Sequence, residues 1–326
     1  MKARRSLLGA AVAALVAGGV RALPPAGRRC RVGLLGAESE KVAYADLEHL
    51  RRELRALGYV EGPLLAFDVR WAGSDYGRLV ALAKDLAASG VDVVVASGSK
   101  AGIAAKEATS TVPVVVSNMG DALQAGFAGS LARPGGNVTG FSAMNPEVTA
   151  KQLALLREIK PGLARAGLLM NPANPNFALT VDALRRAGDA IGVRVATFEA
   201  ASAAAIAPAI RAVAAAGIDA LVVQSETLFS AQAAAIAKLA VANRIAVAGL
   251  TSYADAGALV GYSAAIGERW RHVAGYVDRI LHGAAPSSLP IAQPSRVELV
   301  LNLVTARAIG VTIPQSLEQR ADRVIR

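Results

Sequence analysis

Cysteine, histidine and aromatic residues are scarce in this chain of 326 residues. It has one cysteine, Cys30, and three histidines, and Phe, Trp and Tyr together make up 4% of the sequence. A single cysteine cannot form an intramolecular disulfide. The histidines, His49, His272 and His282, do not have the spacing that metal ligands show. The sequence therefore supports neither a disulfide framework nor a metal site.

Motifs of the common enzyme classes are also missing. No G-x-S-x-G, Walker A or complete G-x-G-x-x-G motif follows a predicted strand, and Gly33–Gly36 lacks the remaining glycine spacing. No histidine falls at a strand end, and no cysteine is placed to act as a nucleophile. Asp121 and Glu226 could in principle form an acid/base pair, but nothing in the sequence brings them together. We expect no enzymatic activity and no cofactor.

The charge distribution argues against a nucleic-acid-binding protein. The formal net charge is +10, yet no cluster of Lys and Arg is interleaved with aromatic residues. Arg51, Arg52 and Arg55 are typical of a solvated helix face. With 53% hydrophobic and 18% charged residues, the composition is that of a folded α/β protein.

The first 22 residues have the parts of a secretory signal. Met1–Arg5 is basic, and Ser6–Val20 is apolar but at 15 residues short for a membrane-spanning helix. Small residues at Val20 and Ala22 would suit a signal peptidase. We therefore predict a signal peptide over residues 1–22 and a periplasmic protein. Adjacent arginines near the start leave both the general and the twin-arginine export routes open.

Strand and helix patterns alternate twice along the rest of the chain. Predicted strands begin at about residues 31, 65, 91 and 112, and again at about 167, 193, 220 and 245. Such alternation predicts βαβ units and open parallel sheets. We therefore expect an α/β protein with two similar Rossmann-like lobes.

The stretch Val112–Ser142 separates these two halves. A short strand, Val112–Val116, leads to the polar cluster Ser117–Asp121 and a brief helical piece. The turn Arg133–Asn137 and a β-branched return, Val138–Phe141, follow. We interpret Asn137–Ser142 as the first of three crossings between the lobes, with the others near 258–263 and 284–296.

These crossings define the predicted domains and a three-segment hinge. The N-terminal lobe would comprise residues 23–141 and 263–290, and the C-terminal lobe residues 142–262 and 291–326. The patterns do not decide which lobe holds the C-terminal tail.

Polar residues recur where the predicted strands end, which is where open α/β sheets bind ligands. Ser97 and Ser99 stand at the start of a helix, where backbone N–H groups favour an anion, although Ser is also an ordinary N-cap. Each of the other candidates could equally be a turn former. These are Asn118 and Asp121 in the first half, and Asn171, Asn174, Ser225 and Glu226 in the second.

Five motifs after the signal peptide are distinctive when taken together. They are Leu57–Gly62, Val69–Ala72, Leu131–Gly140, Leu168–Pro172 with Asn174–Asn176, and Val297–Asn302. With these motifs the chain resembles one family, the ABC-transporter substrate-binding proteins that include tryptophan- and aromatic-amino-acid-binding members. The resemblance covers nearly all of the chain after the signal peptide, and its most specific part is Arg133–Gly140.

The sequence departs from the family around the expected pocket. It has Asp121-Ala122-Leu123 where the family commonly has Asp-Pro-Val, and Glu226 near a position that is often Asp. Thr251–Tyr253 replaces Arg-Glu-Phe, and Gly257–Ser263 differs from Gly-Gly-Leu-Met-Ser-Tyr-Gly. The identity of the ligand is therefore not transferred.

The resemblance implies a type I periplasmic-binding-protein fold, a monomer, and delivery of a small polar ligand to an ABC permease in the membrane. If the ligand is an amino acid, we expect Ser97 and Ser99 to take its carboxylate, and Asp121 or Glu226 its ammonium group. Tyr253 or Tyr262 would pack on its side chain, although ordinary hinge packing explains both tyrosines equally well.

Three rival functions fit parts of the pattern. A transcription regulator with this sensor fold needs a helix-turn-helix headpiece, and the first strand begins too soon after the signal to leave room for one. A secreted α/β enzyme would need a nucleophile and a base, and the sequence shows neither at a suitable position. A ligand sensor that feeds a membrane signalling partner shares every feature described above.

Overall fold

Two β-sheets with helices packed on both faces organise the chain. The computed structural model describes residues 29–38 and 40–326. The predicted signal peptide, residues 1–22, and the linker up to residue 28 lie outside the described residues. Both sheets are parallel for most of their strands, which confirms the predicted α/β fold with two parallel-sheet lobes.

The first sheet has five parallel strands in the order β2-β1-β3-β4-β5. They are β1 (Cys30–Gly36), β2 (Leu65–Trp71), β3 (Val93–Ser97), β4 (Val114–Met119) and β5 (Val138–Ser142). The helices between them are α1 (Glu40–Ala56), α2 (Leu79–Ala88) and α3 (Gly98–Ala108), and a 3₁₀ turn, Tyr76–Arg78, precedes α2.

Strand β3 shows why the pattern there is an unbroken apolar run. Val93 and Val95 face the side covered by α1, whereas Val94 and Ala96 face the side covered by α2 and α3. A strand buried on both faces carries no polar alternation. The central strand therefore positions the polar residues that follow it at the edge of a rigid sheet.

The second sheet has seven strands in the order β12-β11-β10-β9-β8-β6-β7. Most of its elements follow β5 directly in the chain. They are α4 (Asn145–Ile159), β6 (Arg165–Met170), α5 (Phe177–Ala190), β7 (Arg194–Glu199), α6 (Ala203–Ala215), β8 (Ala220–Val223), α7 (Thr227–Ala231), α8 (Ala233–Ala242), β9 (Ala246–Gly249), α9 (Thr251–Asp255) and β10 (Val260–Ala264).

After β10 the chain returns to the first sheet. Helix α10 (Ile266–Leu281) buries Trp270, Val273 and Val277 against β1, β3 and α1. The remaining elements belong to the second sheet and its covering helices. They are β11 (Val297–Asn302), α11 (Leu303–Ile309), α12 (Gln315–Arg320) and β12 (Arg323–Ile325).

The chain thus passes between the two sheets three times, through residues 142–145, 264–266 and 292–297. The first and third passages lie side by side, because the Ser142 N–H donates to the Ala292 carbonyl at 2.8 Å. The second passage follows β10, whereas the sequence predicted it at 258–263. The apolar residues there continue the strand and are buried in the second sheet.

Some local predictions were wrong. Residues 122–129 form turns, not a helical piece, because the Asp121 carboxylate accepts hydrogen bonds from the N–H groups of Leu123 and Gln124. The alternation of strand and helix patterns also did not predict the break at Gln232 between α7 and α8, the short helix α9, or strand β12.

The second sheet is also not wholly parallel, since β10 and β11 run antiparallel, with Tyr262 opposite Leu299. The chain reaches β11 from the first lobe through the third passage. No βαβ crossover connects β10 to β11, so nothing forces them to be parallel.

Candidate functional site

A cavity of about 420 Å³ lies between the two sheets, at the carboxyl ends of their strands. Residues that follow β1, β3 and β4 form one wall, and residues that follow β6, β8 and β9 form the other. The volume is within the range of small-molecule sites. Most of the lining side chains are polar or charged, so the cavity suits a small polar ligand.

The start of α3 forms the centre of the first wall. Gly98 takes a positive φ of 82°, which lets the chain turn sharply from β3 into the helix. The Ser97 side chain makes no capping bond to α3; its hydroxyl instead lies 3.4 Å from the Asp46 carboxylate. The N-terminal end of α3 therefore faces the cavity, and its dipole favours a negative group there.

Ser99 is committed to other partners. Its hydroxyl oxygen accepts a hydrogen bond from the Gly120 N–H at 3.0 Å, and the Asn176 side-chain amide lies 3.4 Å away. It thus ties α3 to the loop after β4. Lys100, the next residue, lines the cavity with its ammonium 5.9 Å from the centre of the Tyr76 ring.

Glu38 lies just after β1 and is the most deeply buried charged residue of this wall. Glu38 lines the cavity but is only 4% exposed, and within residues 29–38 and 40–326 one of its carboxylate oxygens has no hydrogen-bond partner. Burial raises the pKa of the Glu38 carboxyl to about 7, and the Asp46 carboxylate adds to the rise, while the Ser97 hydroxyl and backbone N–H groups oppose it. Glu38 therefore changes charge near neutral pH.

Asp46 and Arg269 extend the wall from two helices. Asp46 is on α1 and Arg269 is near the start of α10, and their charged groups are 3.4 Å apart. The Arg269 Nε is buried without a hydrogen-bond partner. The ion pair joins the two helices at the edge of the cavity, next to the second passage of the chain.

Glu226 is the buried carboxylate of the opposite wall, and both of its oxygens accept hydrogen bonds. It is 7% exposed, and one oxygen accepts from the Asn171 amide at 3.4 Å. The Asn174 amide donates to the other oxygen. The Tyr76 hydroxyl reaches across from the first lobe and donates to the same oxygen as Asn171. Burial, followed by the Glu226 charge, holds the pKa of Tyr76 far above its usual range, so the hydroxyl keeps its proton.

The two lobes are in contact across the cavity. Besides the Tyr76–Glu226 bond, Asn176 of the second lobe approaches Ser99 and Gly120 of the first. A Cβ on Gly120 would come 2.2 Å from the Asn176 side-chain nitrogen, so any larger residue there would displace the Asn176 side chain. The structure is that of a closed arrangement of the lobes.

The structure brings together part of the predicted site. Six of the ten predicted residues line the cavity, namely Ser97, Ser99, Asn118, Asn174, Ser225 and Glu226. Asn171 lies behind them, fully buried, and contacts Glu226.

The other three predicted residues do not line the cavity. Asp121 caps the turn that follows β4. Tyr253, on α9, is fully buried in the apolar core on one face of the second sheet. Tyr262 packs against the core on the opposite face of that sheet. Asp121 is thus a turn former, the alternative that the sequence left open, whereas the two tyrosines pack on the cores of the second sheet.

Sequence reasoning missed several charged residues of the site. Asp46 and Arg269 are on amphipathic helices, where a single charged residue has no distinguishing pattern. Tyr76 belongs to a short 3₁₀ turn. Glu38, however, follows β1 directly, so the rule that selected the other strand ends could have found it.

Two features that the described part of the chain lacks bear on other functions. Within residues 29–38 and 40–326, no group of three or more His, Cys, Asp or Glu side chains is placed to hold a metal ion. No helix in the same residues has both the length and the apolar character needed to cross a membrane.

Comparison with known proteins places this architecture in a family. The family model described as ABC transporter substrate binding protein matches residues 39–325. A curated relative, the tyrosine-binding protein of Clostridioides difficile strain R20291, is 24% identical over 283 residues, which cover 84% of this chain and 80% of that protein.

Solved structures share the fold over most of the chain. A domain from Streptococcus pneumoniae in complex with L-Trp has a TM-score of 0.85 at 23% identity, covering 91% of this chain and 100% of that one. A conserved domain protein from Vibrio cholerae has a TM-score of 0.86 at 26% identity, with the same coverage.

Proposed function

This chain belongs to the family of ABC transporter substrate-binding proteins, and from that premise we propose that it is the exported solute-binding component of an ABC import system. It binds an amino acid or a related small carboxylate between two closing lobes. It then delivers the ligand, as a monomer in the periplasm, to a permease in the membrane. It carries out no chemistry on the ligand.

One observation carries this proposal, namely the polar cavity of about 420 Å³ that both lobes enclose. A ligand held there contacts both walls at once, so it stabilises the closed arrangement over any open one. Enclosure also removes water, which strengthens each polar contact with the ligand. Such a site is suited to capture and release.

The proposed lobes are residues 23–141 with 263–290, and residues 142–262 with 291–326. The two separate sheets and the return of α10 to the first sheet support this division. Two boundaries shift by a residue or two, because β10 runs to Ala264 in the second sheet and Ile291 packs in the core of the first. The three passages between the sheets serve as the hinge. Because the first and third are hydrogen-bonded to each other, they bend together.

The proposed ligand carboxylate binds at the start of α3, near Ser97 and Lys100. The helix dipole, the backbone N–H groups of its first turn and the lysine ammonium all favour a negative group at that point. Asn118, Asn174 and Ser225 supply further hydrogen bonds from the two walls. The relatives that bind tyrosine and L-Trp support an amino acid as the ligand class.

A thermal-shift screen of the purified protein tests the proposal. Amino acids, small carboxylates, sugars and nucleosides are compared, and a ligand raises the Tm by mass action. We expect amino acids or related carboxylates to raise it, and small-angle scattering of the same samples to give an unchanged monomer mass. A shift with sugars or nucleosides alone, or with no compound, would contradict the proposal.

The transport role is tested separately from binding. Deletion of the gene should abolish uptake of the ligand found in the screen, and the intact gene should restore it. Uptake that is unchanged, with loss of a transcriptional or behavioural response to the ligand, would instead indicate a sensor for a membrane signalling partner.

A further inference from the structure

Two buried carboxylates line the cavity, Glu38 and Glu226, and they differ in how completely the described residues supply their hydrogen-bond partners. Three side-chain donors, two amides and a phenol, surround Glu226. Glu38 is more deeply buried, at 4% exposed, and among the described residues one of its two oxygens has no hydrogen-bond partner. A buried carboxylate without sufficient partners is costly unless something else pairs with it.

We propose that Glu38 is the residue that recognises the cationic group of the ligand, a primary ammonium, which the sequence analysis assigned to Asp121 or Glu226. The proposal rests on the proposed function and adds to it the position and charge of one ligand group. Asp121 is excluded because it lies outside the cavity and caps a turn. Glu226 instead joins the two lobes.

The backbone holds Glu38 firmly in place. Just before it, the Ala72 N–H donates to the Gly36 carbonyl at 2.9 Å, and the Ser74 N–H donates to the Ala37 carbonyl at 2.7 Å. The Gly73 N–H donates to the carbonyl of Glu38 itself at 3.2 Å. These bonds fasten the end of β1 to the loop after β2, so Glu38 presents its carboxylate from a rigid support.

Ser97 lies between the proposed ammonium site at Glu38 and the proposed carboxylate site at the start of α3. It precedes the start of α3, and its hydroxyl is 3.4 Å from Asp46, which lines the cavity beside Glu38. An α-amino acid carries its ammonium and carboxylate on one carbon atom, so the two groups must bind close together. Glu38 and the start of α3 meet that requirement.

Arg269, a cationic side chain of this wall, is already paired with another carboxylate, so a cationic ligand group can pair with Glu38. Asp46 is paired with Arg269 at 3.4 Å, and Lys100 is on the α3 side of the cavity. The titratable and charged groups that share the cavity with Glu38 are Asp46 on α1, Tyr76, Lys100 on α3, Arg269 on α10, and Glu226 and Asp255 from the second lobe.

The sign of the pH dependence follows from the raised pKa of Glu38, about 7. A cation binds the ionised carboxylate and not the neutral acid. The association constant for an ammonium ligand therefore rises with pH up to about 7 and levels off above it. Because Glu38 is about half protonated at pH 7, binding there releases about half a proton.

Isothermal titration calorimetry tests the proposal. The probes are the twenty standard L-amino acids and, for each one that binds, the amine that lacks the carboxylate and the acid that lacks the amino group. Glu38→Gln should weaken binding of the ammonium compounds at least tenfold and leave the deaminated acid unaffected. Titrations in buffers of different ionisation enthalpy should reveal proton release in the wild type and none in Glu38→Gln.

Glu226→Gln is the matched control, since it neutralises the other buried carboxylate of the cavity. It should retain the proton release, even where affinity falls. The proton release of the unaltered protein needs no variant, so the proposal stays testable if Glu38→Gln folds poorly.

The failures are distinguishable. Amino acids that bind equally well to Glu38→Gln, or whose affinity falls as the pH rises towards 7, would overturn the role of Glu38 and leave the proposed function standing. If deaminated acids bound and no amino acid did, the role of Glu38 would again be overturned and the proposed function would stand. If no amino acid and no carboxylate bound at all, both proposals would fall.

Discussion

The two walls of the cavity differ in how each holds its buried carboxylate. On the first wall, Glu38 keeps an oxygen without a partner, and burial raises its pKa to about 7. On the second wall, two amides and a tyrosine donate to Glu226. Buried polar atoms nearly always have hydrogen-bond partners, so the unpaired oxygen of Glu38 is the one for which a ligand group would supply the partner. The comparison indicates a first wall that recognises the ligand and a second wall that closes on the first.

Gly120→Ala should hinder closure of the lobes and cause the largest loss of ligand affinity among these variants. The added Cβ would come 2.2 Å from the Asn176 nitrogen, so the lobes can close only if the Asn176 side chain moves away. Overpacking of this kind costs about 1–3 kcal/mol and occasionally more, which corresponds to a loss of ligand affinity of about 5- to 150-fold. Calorimetry measures the affinity, and small-angle scattering measures the fraction that remains open.

Gly129→Ala is the matched control for Gly120→Ala. An added Cβ at Gly129 meets nothing within 4 Å, and the residue does not have a positive φ. Its affinity should equal that of the unaltered protein. If Gly120→Ala also bound with full affinity, closure would not depend on this approach of the lobes.

Tyr76→Phe tests whether Glu226 links the two lobes, and it should reduce ligand affinity less than Gly120→Ala does. It removes the one hydrogen bond that Glu226 receives from the other lobe and leaves the two amides from its own lobe in place. A hydrogen bond to a charged group contributes about 1.5–3 kcal/mol. Because the two amides still satisfy Glu226, we expect the lower end of that range, so affinity should fall about tenfold while proton release is kept. The measurement is calorimetry at pH 7.

Tyr44→Phe provides the comparison for Tyr76→Phe. Tyr44 is on α1, is 55% exposed and does not line the cavity. It should bind the ligand as the unaltered protein does. A Tyr76→Phe variant with unchanged affinity would mean that Glu226 does not link the lobes.

The fold was predictable because both sheets are largely parallel and buried on both faces. Strands such as β3 are then apolar throughout, and the polar residues after them must meet at one edge. The sequence alone therefore predicted Ser97, Asn118 and Glu226 as site residues, and all three line the cavity.

The rest of the site depends on facts that a sequence does not display. Asp46 and Arg269 reach the cavity only because α1 and α10 pack side by side, although the two residues are more than two hundred positions apart in the chain. The state of Glu38 depends on its burial, and the role of Glu226 depends on a tyrosine from the other lobe. Which of the two carboxylates is bonded to the other lobe depends on distances across the cavity, and a sequence does not give these.

Asp121→Asn should have the smallest effect, and it separates the sequence-based assignment of the ammonium site from the structural one. The Asp121 oxygen accepts from the N–H groups of Leu123 and Gln124, each at 2.9 Å, and the oxygen of Asn can accept the same two bonds. Ligand affinity should therefore stay within about twofold, and the free energy of unfolding should fall by less than about 1 kcal/mol. Calorimetry beside Glu38→Gln provides the measurement. A loss of ammonium binding in Asp121→Asn, with Glu38→Gln unaffected, would reverse the roles assigned to the two carboxylates.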